Sequence, residues 1–185
     1  MKRALIAVLL VAATAALSLA QGPKKFARTS SNAASPAKET AVTIGGKTIN
    51  ISYSAPSVRG RTVFGDKGIL KNDSTYPVWR LGADEATQLH TDADLNINGL
   101  AVPKGDYTLW IDLDAGKWQL VVNKKQSWGT EYDKGSDVGR AAMTMSKPPA
   151  PVEQMKITLA AAGANRGKLD IAWADMAGSV TFTVK

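Results

Sequence analysis

Apolar and polar residues alternate along most of the chain from Thr40 onward, which is the pattern of β-strands with one buried face. Short glycine-containing turns separate the alternating runs, and the sequence has no long helical period. The pattern predicts an all-β fold, a single antiparallel β-sandwich of jelly-roll or immunoglobulin-like type. The predicted inward-facing residues are Ile49, Ile51 and Tyr53; Leu95 and Ile97; Tyr107, Leu109, Ile111 and Leu113; Trp118, Leu120 and Val122; Met155, Ile157 and Leu159; Leu169, Ile171 and Trp173; and Val180, Phe182 and Val184.

One hairpin has a register that follows from the sequence if Ala115-Gly116 forms its turn. The predicted pairs are Asp114 with Lys117, Leu113 with Trp118, Ile111 with Leu120, Leu109 with Val122, and Trp110 with Val121. This register directs Trp110 to the face of the sheet opposite the other large apolar residues. We expect a further layer of the protein to cover that ring, since large exposed aromatic side chains are uncommon without a function.

Two stretches do not alternate and are predicted to be long irregular loops, Ala55–Ala83 and Lys124–Gly139. Long loops in a compact domain often carry function. The segment Pro77–Thr87, which continues the first stretch, combines a Trp-Arg pair, a glycine and an acidic pair in eleven residues. We therefore expect a site to be built from these two stretches.

The N-terminal residues Met1–Ala20 have the pattern of a secretory signal: two basic residues, an apolar run, and small residues that favour cleavage after Ala20. Residues 21–37 are predicted to be a flexible linker to a sandwich domain at 38–185. No second apolar run is long enough to span a bilayer. We therefore expect an exported protein, periplasmic or extracellular, that has no transmembrane segment after signal cleavage.

The formal net charge of +7 is concentrated near the N-terminus. From Lys38 onward, eighteen Lys and Arg residues stand against sixteen Asp and Glu residues, which leaves a balance of +2. Nucleic-acid-binding domains usually carry a basic patch or stripe, so we predict no nucleic-acid partner. The chain has no cysteine, which excludes disulfides, thiolate metal sites and thiol catalysis.

The pair Trp79-Arg80 allows two interpretations. A guanidinium can stack on an aromatic ring while it binds a carboxylate, so the pair can form a platform for a ligand. Alternatively, Trp79 is buried, and Arg80 forms a clamp with Asp84 or Glu85 that holds a loop against the sandwich.

The acidic pair also raises the question of glycoside hydrolysis, which needs two carboxyl groups facing each other across a sugar. Adjacent residues on a strand point to opposite faces, so Asp84 and Glu85 cannot supply both groups by themselves. An acid from the second stretch, Asp133 or Asp137, would have to complete the pair.

Four further residues are candidates for ligand contact. Arg59 and Arg61 flank Gly60, and together they can bind a carboxylate, sulfate or phosphate, or form salt bridges within the loop. Trp128 and Tyr132 can stack on a sugar ring or form a lid over the core.

His90 is the only histidine in the chain. A Ser-His-acid triad would have to use it, but the sequence has no Gly-x-Ser-x-Gly elbow. A zinc site lacks a second histidine or a cysteine, and no calcium-loop signature is present. We predict no metal or other cofactor, and His90 remains a candidate ligand contact or a half-exposed sheet residue.

An ordered set of motifs resembles a known family. The motifs are Tyr53-Ser-Ala-Pro56, Gly60-Arg61, Phe64-Gly65, Trp79-Arg80, Gly82-Ala83, Glu85-Ala-Thr87, Gly99, Pro103, Gly105-Asp-Tyr107, Trp118, Asn123, Trp128-Gly129, Tyr132 and Asp137. From about Ser35 to the C-terminus, the chain resembles the bacterial domain-of-unknown-function family 2911. The resemblance implies export, and it brings no activity or catalytic residues. The family pattern Gly-Ala-Asn-Glu is Gly82-Ala-Asp-Glu85 here, so a role of residue 84 as an amide donor is lost.

The sequence favours a non-catalytic binding or interaction module for a cell-envelope or extracellular ligand, a glycan or a peptide. The alternative is a hydrolase that uses carboxylates from the regions 55–87 and 124–139. The candidate ligand-binding residues are Arg59, Arg61, Trp79, Arg80, Glu85, His90, Trp128, Tyr132 and Asp137.

Overall fold

The structure is a computed structural model that describes residues 35–114, 117–126 and 129–185. The predicted signal Met1–Ala20, most of the predicted linker, the predicted Ala115-Gly116 turn and Trp128 lie outside the described residues. No helix in the described part of the chain is both long and apolar enough to cross a bilayer.

The described residues form thirteen strands and two short 3₁₀ turns, with no α-helix. The strands are Ala37–Ile44 (β1), Lys47–Ser54 (β2), Val78–Trp79 (β3), Thr87–Thr91 (β4), Leu95–Ile97 (β5), Leu100–Val102 (β6), Gly105–Asp112 (β7), Gln119–Asn123 (β8), Asp137–Ala142 (β9), Thr144–Ser146 (β10), Val152–Ala161 (β11), Arg166–Ala174 (β12) and Met176–Val184 (β13). The 3₁₀ turns are Ile69–Asn72 and Lys134–Ser136. Strands β2, β5, β7, β8, β11, β12 and β13 contain the predicted alternating runs, because each run offers one apolar face to a core.

The strands form two antiparallel sheets, which confirms the predicted sandwich. The first sheet has the order β1-β2-β4-β7-β8-β9, and β3 also pairs with β7; the second has the order β11-β12-β13-β5-β6, and β10 also pairs with β13. At one edge the sheets are joined by two bonds: the Leu159 N–H donates to Thr40 Oγ1 at 3.1 Å, and the Ile157 N–H donates to the Tyr53 hydroxyl at 3.1 Å. Near the other edge the chain crosses between sheets after β9, and the Met143 N–H donates to the Trp118 carbonyl at 3.0 Å.

One end of the core is aromatic. The rings of Trp79 and Trp173 stack with their centroids 5.5 Å apart, and Phe64 lies 5.3 Å from Trp118 and 5.9 Å from Trp173. Trp79 and Trp173 are almost fully buried, at 1% and 2% exposure. Each buried aromatic side chain contributes a large apolar area to the core, so this cluster anchors the irregular stretch that carries Phe64 and Trp79.

The predicted hairpin register is confirmed for the paired residues of β7 and β8. Leu109 pairs with Val122, Trp110 with Val121, and Ile111 with Leu120. Trp110 points away from the main core, and it is 1% exposed because a second, small apolar cluster covers it. The expected layer is therefore present on the outer face of the first sheet.

The two stretches that lack alternation are largely irregular, as predicted. The first, Ala55–Ala83, contains a 3₁₀ turn and the two-residue strand β3. The second, Lys124–Gly139, ends inside β9, which begins at Asp137. Strand β9 is therefore a correction to the sequence analysis, which did not identify it.

Candidate functional site

The segment Arg80–Ala86 forms a loop, here called the excursion, between β3 and β4, two strands that both pair with β7. Strands β3 and β4 both run antiparallel along β7: Trp79 pairs with Ile111, and Thr87 pairs with Leu109. Only Trp110 lies between those two partners on β7, whereas seven residues lie between Trp79 and Thr87. The segment does not alternate because it leaves the sheet and returns to it.

Hydrogen bonds close the base of this excursion. The Thr87 N–H donates to the Arg80 carbonyl at 3.2 Å, and the Thr87 hydroxyl donates to the Leu81 carbonyl at 2.6 Å. The indole N–H of Trp79 donates to the Gly82 carbonyl at 3.0 Å. These bonds satisfy buried polar groups that would otherwise be costly, so the excursion is a fixed loop rather than an open one.

Two residues of the excursion have left-handed backbone conformations, Leu81 with φ 50° and Asp84 with φ 60°. Among residues other than glycine, Asn and Asp tolerate this region best. Asp84 therefore suits the backbone conformation at its position. The residue type at position 84 is therefore explained by geometry without a role for an amide donor.

Arg80 and Trp79 point to opposite sides of the first sheet. Trp79 lies in the main core, whereas the Arg80 guanidinium binds the carboxylate of Asp73 at 2.5 Å and the main-chain carbonyl of Asp84 at 3.4 Å. The side chains of Arg80 and Asp73 are 15% and 14% exposed. The acid that the structure places on Arg80 is Asp73, a residue that the sequence analysis did not consider.

The two irregular stretches meet at Gly129. A β-carbon at residue 129 would lie 2.4 Å from Arg80 Cδ and 2.3 Å from the carbonyl oxygen of Asp84. Only glycine fits so close an approach without displacing its neighbours. Glu85 belongs to the same excursion and is buried, at 3% exposure.

Tyr132 and Asp137 form a second group of polar contacts, on the outer face beside Trp110. The Tyr132 ring lies 5.1 Å from the Trp110 ring, and its hydroxyl donates to Asp137 Oδ2 at 2.7 Å. Arg140 donates to the Tyr132 hydroxyl at 3.1 Å and forms an ion pair with Asp112. Burial, and then the hydrogen bond to Asp137, raise the pKa of Tyr132 to about 12. The phenol is therefore a hydrogen-bonded cover for Trp110 and not a base at neutral pH.

Arg140 and Asp112 were missed by the sequence analysis. Asp112 follows Trp110 by two residues, so strand periodicity places it on the same outer face. Arg140 had no such signal because β9 was not identified. Burial lowers the pKa of Arg140, but its contacts with Tyr132, Asp112 and Asp137 outweigh burial, and the net pKa is raised.

His90 lies on the outer face of β4, away from both groups. Its Nδ1 is 2.7 Å from Asp106 Oδ1, and its Nε2 is 3.0 Å from Asp92 Oδ1. Burial lowers the pKa of His90, but the hydrogen bonds to Asp106 and Asp92 outweigh it and raise the pKa above 6.5. Both ring nitrogens are held by carboxylates, so neither is directed at a serine hydroxyl, as a catalytic triad requires.

Arg59 and Arg61 lie in a third place, at one end of the sandwich. Arg61 donates from Nε to the Val58 carbonyl at 3.0 Å and from Nη2 to the Ser57 carbonyl at 2.7 Å. The backbone N–H of Arg59 donates to Glu153 Oε1 at 2.9 Å. The Arg61 contacts lie within the loop 57–61, and the Arg59 contact holds this loop against the start of β11.

An open cleft of about 620 Å³ lies beside this loop. The loop that carries Arg61 forms one wall, and the start of β11 and the turn between β12 and β13 form the others. The side chains that line the cleft include Val58, Arg61, Phe64, Glu153, Asp175 and Met176. A smaller hollow of about 190 Å³ adjoins it and shares Phe64 and Met176.

The predicted site residues therefore do not converge on one pocket. Arg80 and Glu85 lie in the excursion, Tyr132 and Asp137 lie over Trp110, and His90 lies apart between two acids. Within the ranges that the structure describes, no group of three or more potential ligands could hold a metal ion.

A model of the family described as "Protein of unknown function (DUF2911)" matches residues 35–182. The match covers most of the chain and all of the elements described above except the last residues of β13. No curated protein and no solved structure matches the chain.

Proposed function

The chain belongs to the DUF2911 family, and from the geometry of its loops we propose that it is an exported, non-catalytic binding module. Its ligand, a short peptide or a glycan fragment, occupies the cleft beside Arg61. The observation that carries this proposal is the cleft itself, one wall of which is formed by the first irregular stretch. The expectation that the second stretch would also build the site is not met here, since no described residue of Lys124–Gly139 lines the cleft.

The size and lining of the cleft support this assignment. Sites for small ligands usually have volumes of roughly 300–1,000 Å³ and combine an apolar floor with a few polar groups. Here Val58, Phe64 and Met176 supply apolar surface, and the charge at the same cleft comes from Arg61, Glu153 and Asp175. A ligand with apolar and polar parts fits this lining better than an ion does.

The acids of the second stretch support binding over hydrolysis. Asp137 receives hydrogen bonds from Tyr132 at 2.7 Å and from Asn123 at 2.8 Å. Asp133 accepts from the Ser136 hydroxyl at 2.7 Å and from the Gly135 N–H, and these bonds lower its pKa. A general acid for glycoside hydrolysis needs a raised pKa, whereas the pKa of Asp133 is lowered. Both oxygens of Asp137 already accept hydrogen bonds within the protein.

Export rests on the signal pattern of Met1–Ala20. The test is the mass of the protein recovered from a bacterial expression host after fractionation. We expect a mature chain that begins at Gln21 in the periplasm or medium. A full-length chain that stays in the cytoplasm would contradict export without affecting the binding proposal.

Binding is tested by two-dimensional NMR of the domain with a panel of short peptides and oligosaccharides. We expect shifted resonances to cluster at the cleft for at least one of these probes. Thr62→Trp fills the cleft from an exposed position, and we expect it to weaken that binding at least tenfold. Thr181→Trp is the matched control, because Thr181 is exposed on β13 outside the cleft.

The proposal is wrong if no probe shifts resonances at the cleft, or if Thr62→Trp and Thr181→Trp affect binding equally. Melting temperatures of both variants within about 3 °C of wild type would show that the comparison reports binding and not folding.

A further inference from the structure

Three charged side chains line the cleft, Arg61, Glu153 and Asp175, and two of opposite sign, Arg61 and Asp175, do not bind each other. Arg61 and Asp175 both line it, from the first irregular stretch and from the turn between β12 and β13. Both residues are exposed, and neither forms an ion pair with any residue that the structure describes. Opposite charges on one cleft are complementary to a ligand that carries both charges itself.

The guanidinium of Arg61 is held in a fixed orientation. Two of its five N–H donors bind the carbonyls of Val58 and Ser57, and the others remain available. Carbonyl contacts orient the guanidinium without neutralising its charge. An arginine held in this way loses little side-chain freedom when it binds a carboxylate, so it is preorganised for one.

Asp175 offers the complementary group. It lies in the tight turn after Ala174, whose left-handed conformation, with φ 51°, sets the direction of the chain at this point. Its side chain makes no hydrogen bond with the described residues, whereas Glu153 in the same cleft already accepts from the Arg59 N–H. Asp175 is therefore the acid with both oxygens available to an ammonium group.

Apolar side chains lie along the cleft with these charges. Val58, Phe64 and Met176 belong to the same lining as Arg61 and Asp175. A neutral oligosaccharide can hydrogen-bond to both side chains but neutralises neither charge. A simple anion or cation neutralises only one of them and uses none of the apolar surface. This comparison favours a ligand with an ammonium group, a carboxylate and an apolar part.

Building on the proposed function, we propose that the cleft binds a short peptide with free termini. The peptide carboxylate binds Arg61, an ammonium group binds Asp175, and an aliphatic side chain contacts Phe64 and Met176. The proposal goes beyond a general binding role because it names the charges that the ligand must carry.

The experiment uses three free peptides as probes: Ala-Leu, Ala-Leu-Ala and Ala-Leu-Ala-Ala. Each is compared with its N-acetylated and its C-amidated form at low ionic strength, with dissociation constants from NMR titration. We expect at least one free peptide to bind, and either cap to weaken that binding about threefold to tenfold, the range for partly exposed charge contacts.

The variants assign each charge to a residue. In Asp175→Asn, N-acetylation should have no further effect, whereas C-amidation should still weaken binding. Asp170→Asn is the control, since Asp170 lies on β12 outside the cleft and forms an exposed ion pair with Lys168. Arg61→Gln should show the reverse pattern. Asp175→Asn carries the main test because the Asp175 side chain, unlike that of Arg61, makes no hydrogen bond with the described residues.

Equal binding of free and capped peptides would overturn the proposal, as would a cap effect that Asp175→Asn leaves unchanged. Binding of an oligosaccharide at the cleft with no binding of the peptides would overturn it while the proposed binding function stands. If neither class of probe binds, the proposed function itself fails.

Discussion

Gly129 lies against the side chain of Arg80 so closely that a β-carbon at residue 129 would stand 2.4 Å from Arg80 Cδ. The two residues belong to the two irregular stretches, which are separate in sequence and meet here on the outer side of the first sheet. Because the same β-carbon would also stand 2.3 Å from a main-chain oxygen, Asp84 O, the clash cannot be relieved by moving one side chain.

The first prediction concerns Gly129→Ala. We expect the free energy of unfolding to fall by about 2 kcal/mol, the usual range for overpacking a close contact. Urea unfolding followed by tryptophan fluorescence measures the change.

Gly135→Ala is the matched control for that substitution. Its β-carbon would meet only Asp133 Oδ1, at 3.2 Å, which is the end of a flexible side chain. We expect a loss below about 1 kcal/mol. Equal losses in the two variants would show that the contact between Gly129 and Arg80 is looser than the structure has it.

The second prediction concerns the pair formed by Arg80 and Asp73. Both side chains are mostly buried, so removal of either partner leaves a charge poorly solvated. We expect Arg80→Ala and Asp73→Ala each to lower the free energy of unfolding by about 2–3 kcal/mol. A double-mutant cycle should give a coupling energy of about 1–2 kcal/mol.

The exposed pair formed by Lys168 and Asp170 provides the comparison, with side chains 44% and 42% exposed. Its coupling energy should not exceed about 0.5 kcal/mol. If the pair of Arg80 and Asp73 gave no more than this value, Arg80 would not act as a structural clamp, and a role for it in ligand binding would gain support.

The strands were predictable where each run has one apolar face and a clear turn. The pairs formed by Leu109 with Val122 and Ile111 with Leu120 follow from alternation alone. Alternation did not predict strand β9, because Gly139 interrupts the pattern. The next residue, Arg140, is polar but only partly exposed, since its guanidinium contacts Tyr132, Asp112 and Asp137. The pattern of apolar and polar residues along one strand does not show which residues from other parts of the chain will pack on it.

The partners of the site residues were less predictable than the strands. Proximity in sequence suggested Asp84 or Glu85 as the partner of Arg80, but the excursion turns the chain so that Asp73 reaches the guanidinium. The cleft depends on Asp175, which is more than a hundred residues from Arg61 in sequence. Contacts of this kind come from the topology of the two sheets, which the alternation of a single strand does not contain.

The third prediction concerns the titration of His90, the only histidine, which gives a single set of ring resonances in proton NMR. Its pKa should lie above 6.5, because hydrogen bonds to Asp106 and Asp92 outweigh the effect of burial. Asp106→Asn should lower this pKa. Asp94→Asn should leave it unchanged, since Asp94 accepts from the Lys104 N–H instead.

Stability should follow the same titration. Because the folded-state pKa of His90 is raised, the protonated ring stabilises the folded protein. This contribution to the free energy of unfolding is fully present below pH 6.5 and is lost as the pH rises through the folded-state pKa. The difference in free energy of unfolding between wild type and His90→Gln should therefore be larger at pH 5.5 than at pH 8.5. A difference that grows with pH would mean that the two carboxylates do not hold the imidazolium.

The last prediction concerns Tyr132, whose hydroxyl joins Asp137 and Arg140 above the Trp110 ring. Tyr132→Phe keeps the ring on Trp110 but removes both hydrogen bonds, so we expect a loss of about 1–2 kcal/mol in the free energy of unfolding at pH 7. Tyr76→Phe is the control, because the Tyr76 hydroxyl accepts an exposed hydrogen bond from Lys71 at 3.2 Å. It should change the free energy by less than about 0.5 kcal/mol.

The dependence of this loss on pH tests the network separately from packing. The pKa of Tyr132 is raised from 10.0 to about 12, so the contribution of its protonated hydroxyl is fully present below pH 10 and is lost as the pH rises through 12. The stability difference between wild type and Tyr132→Phe should therefore shrink over that interval. Absorbance of the tyrosinate band should show that Tyr132→Phe removes a step near pH 12. If the step that disappears lies near pH 10, the hydroxyl is open to solvent and does not hold Asp137 and Arg140 over Trp110.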